Sequence, residues 1–218
     1  MRNRFDKELE VLNQNLIKMG TLCEHAISLA MQCFEDNENV TVKEVKLVEI
    51  EIDGFENEIE SQCLKLFLHE QPVAKDLRSI SSILKMVTDL ERIGDQAVDI
   101  ADLSKYTKIE NRHIKTMACE TIKMLSSAID SFIKQDLELA KKTIAKDDEI
   151  DDLFIQVRYD IINVLKNEVD SKVEVLDTFM IAKYLERIAD HAVNVCEWVI
   201  FSITGLHKGV TYDSNTRR

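Results

Sequence analysis

A ten-residue phrase occurs twice in this chain, as Leu90-Glu91-Arg92-Ile93-Gly94-Asp95-Gln96-Ala97-Val98-Asp99 and again as Leu185-Glu186-Arg187-Ile188-Ala189-Asp190-His191-Ala192-Val193-Asn194, at an offset of 95 residues. Leu, Glu, Arg, Ile, Asp, Ala and Val recur at matched positions, more identity than a shared amphipathic pattern requires. The chain therefore reads as an internal duplication, and its fold must be one that can be built twice. A helix turns about 100° per residue, so side chains at i, i+4 and i+8 fall in one row. Glu91, Asp95 and Asp99 thus form a carboxylate stripe, and Glu186, Asp190 and Asn194 form its copy.

The material between the two phrases is helical in character. Only five glycines and one proline occur in 218 residues, while 45% of the residues are hydrophobic, a balance that fits few long helices and argues against a sheet. Apolar residues recur at three- and four-residue intervals in six stretches. These predict helices over about residues 4–34, 41–69, 73–104, 109–134, 137–168 and 173–203. Polar or proline-containing breaks separate them, at residues 35–39, at Gln71-Pro72, around Thr107, at Gln135-Asp136 and at Val169-Asp170-Ser171. The predicted architecture is all-α, two tandem three-helix bundles of six long antiparallel helices. Residues 1–106 make the first bundle, residues 107–204 the second, and residues 205–218 a flexible tail of low apolar content.

Net charge is −12, which repels nucleic acid and anionic lipid and favours cations or basic partner surfaces. The five cysteines are odd in number and well separated, and none belongs to a C-x-x-C pair, so neither a disulfide framework nor a thiolate zinc site is expected. The residues from Met1 to Glu8 lack the apolar stretch of a secretory signal, and no run reaches the roughly 20 apolar residues of a membrane span. A cytoplasmic protein without direct membrane insertion is the expectation.

On a helical wheel the row Glu186, Asp190, Asn194 lies opposite the apolar cluster of Ile181, Leu185, Ile188, Ala192, Val195 and Val199, and the first repeat behaves alike. Taken singly, each row is an ordinary solvated face. A second pair accompanies each row, however: Glu49 and Asp53 on the second helix, and Asp147 and Asp151 on the fifth, at an offset of 98 residues. Hard divalent or ferric ions take several oxygen ligands, which two juxtaposed acidic pairs would supply without thiolate or imidazole. Spacing alone leaves both readings open, because it does not make the two helices neighbours.

With these residues the chain resembles the PhoU family of phosphate-uptake regulators, whose hallmark is a twice-occurring E(D)xxxD helix motif. Here the motif reads Glu91-Arg92-Ile93-Gly94-Asp95 and Glu186-Arg187-Ile188-Ala189-Asp190. The segments Gln71-Pro72-Val73-Ala74-Lys75-Asp76-Leu77-Arg78, Ile52-Asp53 and Asp148-Glu149-Ile150-Asp151 extend the likeness from about Phe5 to Gly205. The resemblance implies metal ligands at Glu49, Asp53, Glu91, Asp95 and Asp99 in one half and at Asp147, Asp151, Glu186, Asp190 and Asn194 in the other. It implies divalent or trivalent ions in multinuclear sites, iron or zinc, with magnesium and manganese also compatible with oxygen donors. It further implies a homodimer and a negative regulator of phosphate-starvation signalling. Such a regulator would link the ATPase subunit of a phosphate ABC transporter to a sensor histidine kinase. Asn194, which stands where the first copy has Asp99, removes one charge from the second set.

The remaining polar residues carry less. Arg92 and Arg187 read as local ion pairs beside the acidic rows, and His191 as a partly exposed histidine. Glu110-Asn111-Arg112-His113 matches the Glu-x-x-His of carboxylate-bridged di-metal oxidases and hydrolases. That fold needs two such motifs plus two further glutamates, so the segment reads as helix capping, with a di-metal enzyme as the alternative function. Trp198 and the scattered methionines read as packing.

Overall fold

A computed structural model describes residues 2–35, 40–69, 72–107, 109, 111–166 and 172–206. The described elements are α1 (Arg2–Phe34), α2 (Val42–His69), α3 (Ala74–Ser104), α4 (Arg112–Lys134), α5 (Leu137–Ile144), α6 (Asp147–Lys166) and α7 (Lys172–Thr204), with no strand among them. Helices α1, α2 and α3 pack on one another, and α4 packs with α5, α6 and α7. The two bundles meet along α3 against α7 and along α1 against α4. The all-α tandem-bundle architecture expected from the sequence is the one observed.

One predicted helix is corrected. The stretch 137–168 is two helices, interrupted at Ala145 and Lys146. The reason is electrostatic and local. Lys141 and Lys142 occupy the last turn of α5, and Asp147, Asp148 and Glu149 the first turn of α6. Each charge group suits the dipole end it sits on, so the sequence favours a stop and a restart there. The other helices begin and end within three residues of expectation.

Helix ends are closed by identifiable groups. Asn111 caps α4, its Oδ1 accepting from the backbone N–H groups of His113 (2.8 Å) and Ile114 (3.3 Å), which accounts for that part of the Glu-x-x-His match. Gln135 ends α4 in the left-handed region at φ 49°, and Asp136 then caps α5 by accepting from Glu138 and Leu139. At the end of α7, Gly205 adopts φ 76° while its N–H bonds Phe201 O at 2.8 Å. The expected breaks at 36–39, at Gln71 and at 169–171, Glu110, and the tail beyond Leu206 lie outside the described residues.

α3 and α7 are the two most enclosed helices, because each faces its own bundle on one side and the other bundle on the other. Ile80, Met86, Leu90 and Ile93 on α3, and Ile181, Leu185, Ile188 and Val195 on α7, are fully buried. Truncating one of these to alanine would cost about 2–5 kcal/mol. Where α1 crosses α4, a Cβ at Gly20 would lie 2.8 Å from Ile129, so only glycine admits this approach. The linker is pinned as well. Thr107 is buried, its hydroxyl 2.6 Å from that of Thr178 and 3.2 Å from Glu174 O on α7. Trp198 lies against the core with its ring edge-on to Phe201, as a packing residue.

Candidate metal centre

The first acidic groove runs between α2 and α3. At its middle a Cβ on Gly94 would lie 3.0 Å from Ile52 Cδ1, so the glycine between Glu91 and Asp95 lets α2 close on α3. The approach brings Asp53, Glu56 and Glu91 together, with one carboxylate oxygen from each within 4.8 Å of the others and all three half-buried. Burial first, and then the neighbouring charges of Asp95, Glu56 and Asp53, push the Glu91 carboxyl up to about 7 against the pull of Arg92. Glu49 is raised by burial and by Asp53 and Asp95, and Asp95 by burial and by Asp53 and Asp99. Glu56 is raised by burial and by Glu60, Asp53 and Asp95. The groove therefore concentrates more negative charge than its own surroundings neutralise.

The second groove lies between the start of α6 and the middle of α7. Burial, followed by Asp190, Asp151 and Glu186, pushes Asp147 up to about 6. Asp151 is raised by burial and Glu186, and Asp190 by burial and Glu186 with Lys183 opposing in both cases. Lys183 Nζ donates to Glu186 Oε1 at 2.7 Å and Oε2 at 2.5 Å, and stands 5.5 Å from the centre of the Phe154 ring.

The two rows extend beyond the grooves at their third members. Asp99 accepts a hydrogen bond from the Tyr184 hydroxyl across the α3–α7 joint, with Arg187 also facing it. Asn194 Nδ2 donates to Asp89 Oδ1 at 3.1 Å, and His191 Nδ1 lies 2.9 Å from the same oxygen. Under the 95-residue offset, position 89 corresponds to 184 and 99 to 194, so the halves exchange equivalent contacts about a pseudo-twofold axis. His191 is thus corrected from a partly exposed residue to a buried one, since Asp89 supplies the partner that allows its burial. Arg187 likewise reaches toward the opposite half, whereas Arg92 stays beside Glu91.

The carboxylates at 49, 53, 91 and 95 converge in one groove, and those at 147, 151, 186 and 190 in the other, while Asp99 and Asn194 have partners on the opposite bundle. Glu56 was not anticipated, although it continues the face of Glu49 and Asp53 at i+7. Lys183 stands at i−3 from Glu186 and was equally legible. Asp89 and Tyr184 carry no sequence signal, because their roles exist only once α3 meets α7. Cys23, Cys63 and Cys196 are buried free thiols, and burial pushes the last two up to about 12, which makes them inert packing groups. No described helix is long and apolar enough to cross a membrane.

The PhoU domain family model matches this chain twice, over residues 16–104 and 114–199. The phosphate-specific transport system accessory protein PhoU homolog of Clostridium acetobutylicum is 37% identical over 212 residues, spanning 94% of this chain and 96% of its own. The Pseudomonas aeruginosa homolog is 31% identical over 220 residues, spanning 95% of this chain and 90% of its own. Among solved structures, PhoU from Pseudomonas aeruginosa superposes with a TM-score of 0.87 at 29% identity, covering 93% of this chain and all of that one. The phosphate transport system regulatory protein PhoU from Streptococcus pneumoniae gives 0.86 at 26% identity, covering 94% and 100%.

Proposed function

The chain belongs to the PhoU family, and from that premise we propose that it is a cytoplasmic, metal-binding regulator of phosphate uptake. In this reading it acts as an accessory protein of a phosphate-specific transport system and represses phosphate-starvation signalling. It does so as a homodimeric adaptor between the transporter's ATPase subunit and a sensor histidine kinase. The observation that carries the metal half of the reading is the first groove, where Asp53, Glu56 and Glu91 present oxygens within 4.8 Å of one another. All donors are carboxylates, a set suited to magnesium, manganese or iron, with zinc also accommodated. Glu49, Asp53, Glu56, Glu91 and Asp95 would hold metal in the first half, and Asp147, Asp151, Glu186 and Asp190 in the second. Bound metal would supply positive charge that relieves the mutual repulsion of these groups.

The transporter side of the adaptor reading is supported by the names of the relatives, accessory proteins of phosphate-specific transport systems, and surface character is compatible with a partner. Leu47, Ile50, Leu64 and Leu68 on α2 are all more than half exposed, which gives apolar area of the kind a partner covers. The di-metal enzyme alternative draws no support from this geometry. The carboxylates line surface grooves beside three-helix bundles and not the core of a four-helix one.

The test compares wild type with a variant carrying Glu91→Gln, Asp95→Asn, Glu186→Gln and Asp190→Asn, purified without affinity tag or chelator. Elemental analysis is expected to find metal in the wild type and its loss from a variant that remains helical by circular dichroism. In cells, the same variant should derepress phosphate-starvation genes. Equal metal in both proteins, or unchanged regulation, would refute the corresponding half of the reading.

A further inference from the structure

The two grooves differ at two positions that face each other. With the halves aligned by their own offsets, 98 residues for the α2/α6 pair and 95 for the α3/α7 pair, Phe154 takes the place of Glu56 and Lys183 the place of Thr88. The first groove thus collects five carboxylates, Glu49, Asp53, Glu56, Glu91 and Asp95. Of the basic residues beside it, Lys46 is turned to Asp102 at 2.8 Å, and Arg92 is exposed. The second groove collects four carboxylates, and an ammonium is already seated among them, on both oxygens of Glu186.

The seat of Lys183 is built from more than one contact. Its head bridges Glu186, whose side chain is only 15% exposed, and lies over the Phe154 ring, a cation–π arrangement that the glutamate of the first half could not offer. Phe154 is itself held by Phe179 of α7, ring centres 5.3 Å apart. The lysine side chain is 39% exposed, so its head can swing out to water without unpacking the helix.

We propose that Lys183 is a built-in counter-cation of the second groove that competes with metal ions for Glu186, so that the two grooves bind metal unequally. This inference rests on the metal reading above and deepens it. The first groove takes ions more readily, because among the described residues no cation forms an ion pair with its carboxylates, Arg92 and Lys46 acting on Glu91 and Glu49 only from nearby. In the second, an ion reaching Glu186 must either expel the ammonium or sit beside it, and like charges a few ångströms apart repel even at a solvated surface. Occupancy of the first groove is then constitutive, while the second fills only at higher free metal, which gives the molecule two thresholds for one ligand.

The experiment uses Mn²⁺ alone as probe, titrated into the chelator-stripped full chain and followed by calorimetry and by the electron paramagnetic resonance signal of free Mn²⁺. Glu91→Gln with Asp95→Asn isolates the second groove, and Lys183→Met, which keeps the stem and the contact with Phe154, is added to it. The expected result is a second-groove affinity raised about tenfold or more by Lys183→Met. Thr88→Lys should lower first-groove affinity in the wild-type background. Thermal unfolding supplies a readout independent of titration fits, with metal-free Lys183→Met melting below wild type and gaining more from Mn²⁺. Two grooves of equal affinity, with the second unmoved or weakened by Lys183→Met, would overturn the role of Lys183 and leave the metal reading standing. Absence of Mn²⁺ binding in wild type and all variants would overturn both.

Discussion

The two halves share a scaffold and differ in how each manages its acids. In the first groove Gly94 draws α2 against α3, and five carboxylates gather with Glu91 pushed up to about 7. In the second, Ala189 replaces the glycine, a lysine neutralises Glu186, and the most perturbed acid, Asp147, reaches about 6. Duplication preserved the helix positions, whose burial leaves little freedom, while the exposed groove walls diverged, since a surface substitution away from special contacts shifts stability by only a few tenths of a kcal/mol. The lesson is that a repeated motif does not imply a repeated site.

The largest expected effect is on pH dependence, because many groups act together. A carboxyl whose folded pKa is raised holds a proton in the folded chain at pH values where the unfolded chain has lost it, so stability falls as pH rises through that window. In chelator, melting temperature should therefore decline from about pH 4 to about pH 7. Above about pH 6 the first groove should contribute most of the slope, since its environment pushes Glu91 up to about 7 and that of the second groove pushes Asp147 only to about 6. Glu91→Gln should flatten the upper part of the profile and Asp147→Asn the lower part. A profile that rises over this range, or that responds equally to both substitutions, would break the comparison.

The joint between the halves offers the next contrast. Asp89→Ala leaves both Asn194 and His191 without their acceptor and is expected to cost about 1.5–3 kcal/mol. The pseudo-equivalent change, Tyr184→Phe, removes one hydrogen bond to an exposed carboxylate and should cost about 0.5–1.5 kcal/mol. Chemical denaturation of both variants measures the difference, and a larger loss from Tyr184→Phe would contradict the burial assigned to Asp89.

Two glycines on the same helix pair give the last contrast, which ends on the smallest effect. Gly94→Leu forces α2 from α3 and should cost about 1–3 kcal/mol, with Mn²⁺ affinity of the first groove falling alongside. Gly54→Ala meets nothing within 4 Å and lies mid-helix, so it should stabilise by about 0.5–1 kcal/mol. Equal effects of the two substitutions would mean that close approach at Gly94 is not what assembles the groove.

Much of this was legible in the chain. Helix limits followed from apolar periodicity and capping residues, which act over a few neighbours. The break at Ala145 was legible too, in the passage from Lys141-Lys142 to Asp147-Asp148-Glu149, yet continuous apolar spacing masked it. Glu56 and Lys183 were visible as i+3 and i−3 companions of named acids. Gln96 illustrates the reverse. It occupies the place of His191 in the first repeat, but its buried Oε1 lacks a hydrogen-bond partner among the described residues, an asymmetry that no pattern announces.

By itself the sequence determined the all-α class, the duplication, the helix positions and the acidic rows, because each depends on spacing along one helix. Only the tertiary structure decided which row faced which. The approach of α2 to α3 at Gly94 made a groove out of separate carboxylate pairs. The packing of α3 on α7 joined Asp99 and Asn194 to partners on the opposite bundle, because those contacts join residues about 85–105 positions apart whose distance is set by the packing of whole helices.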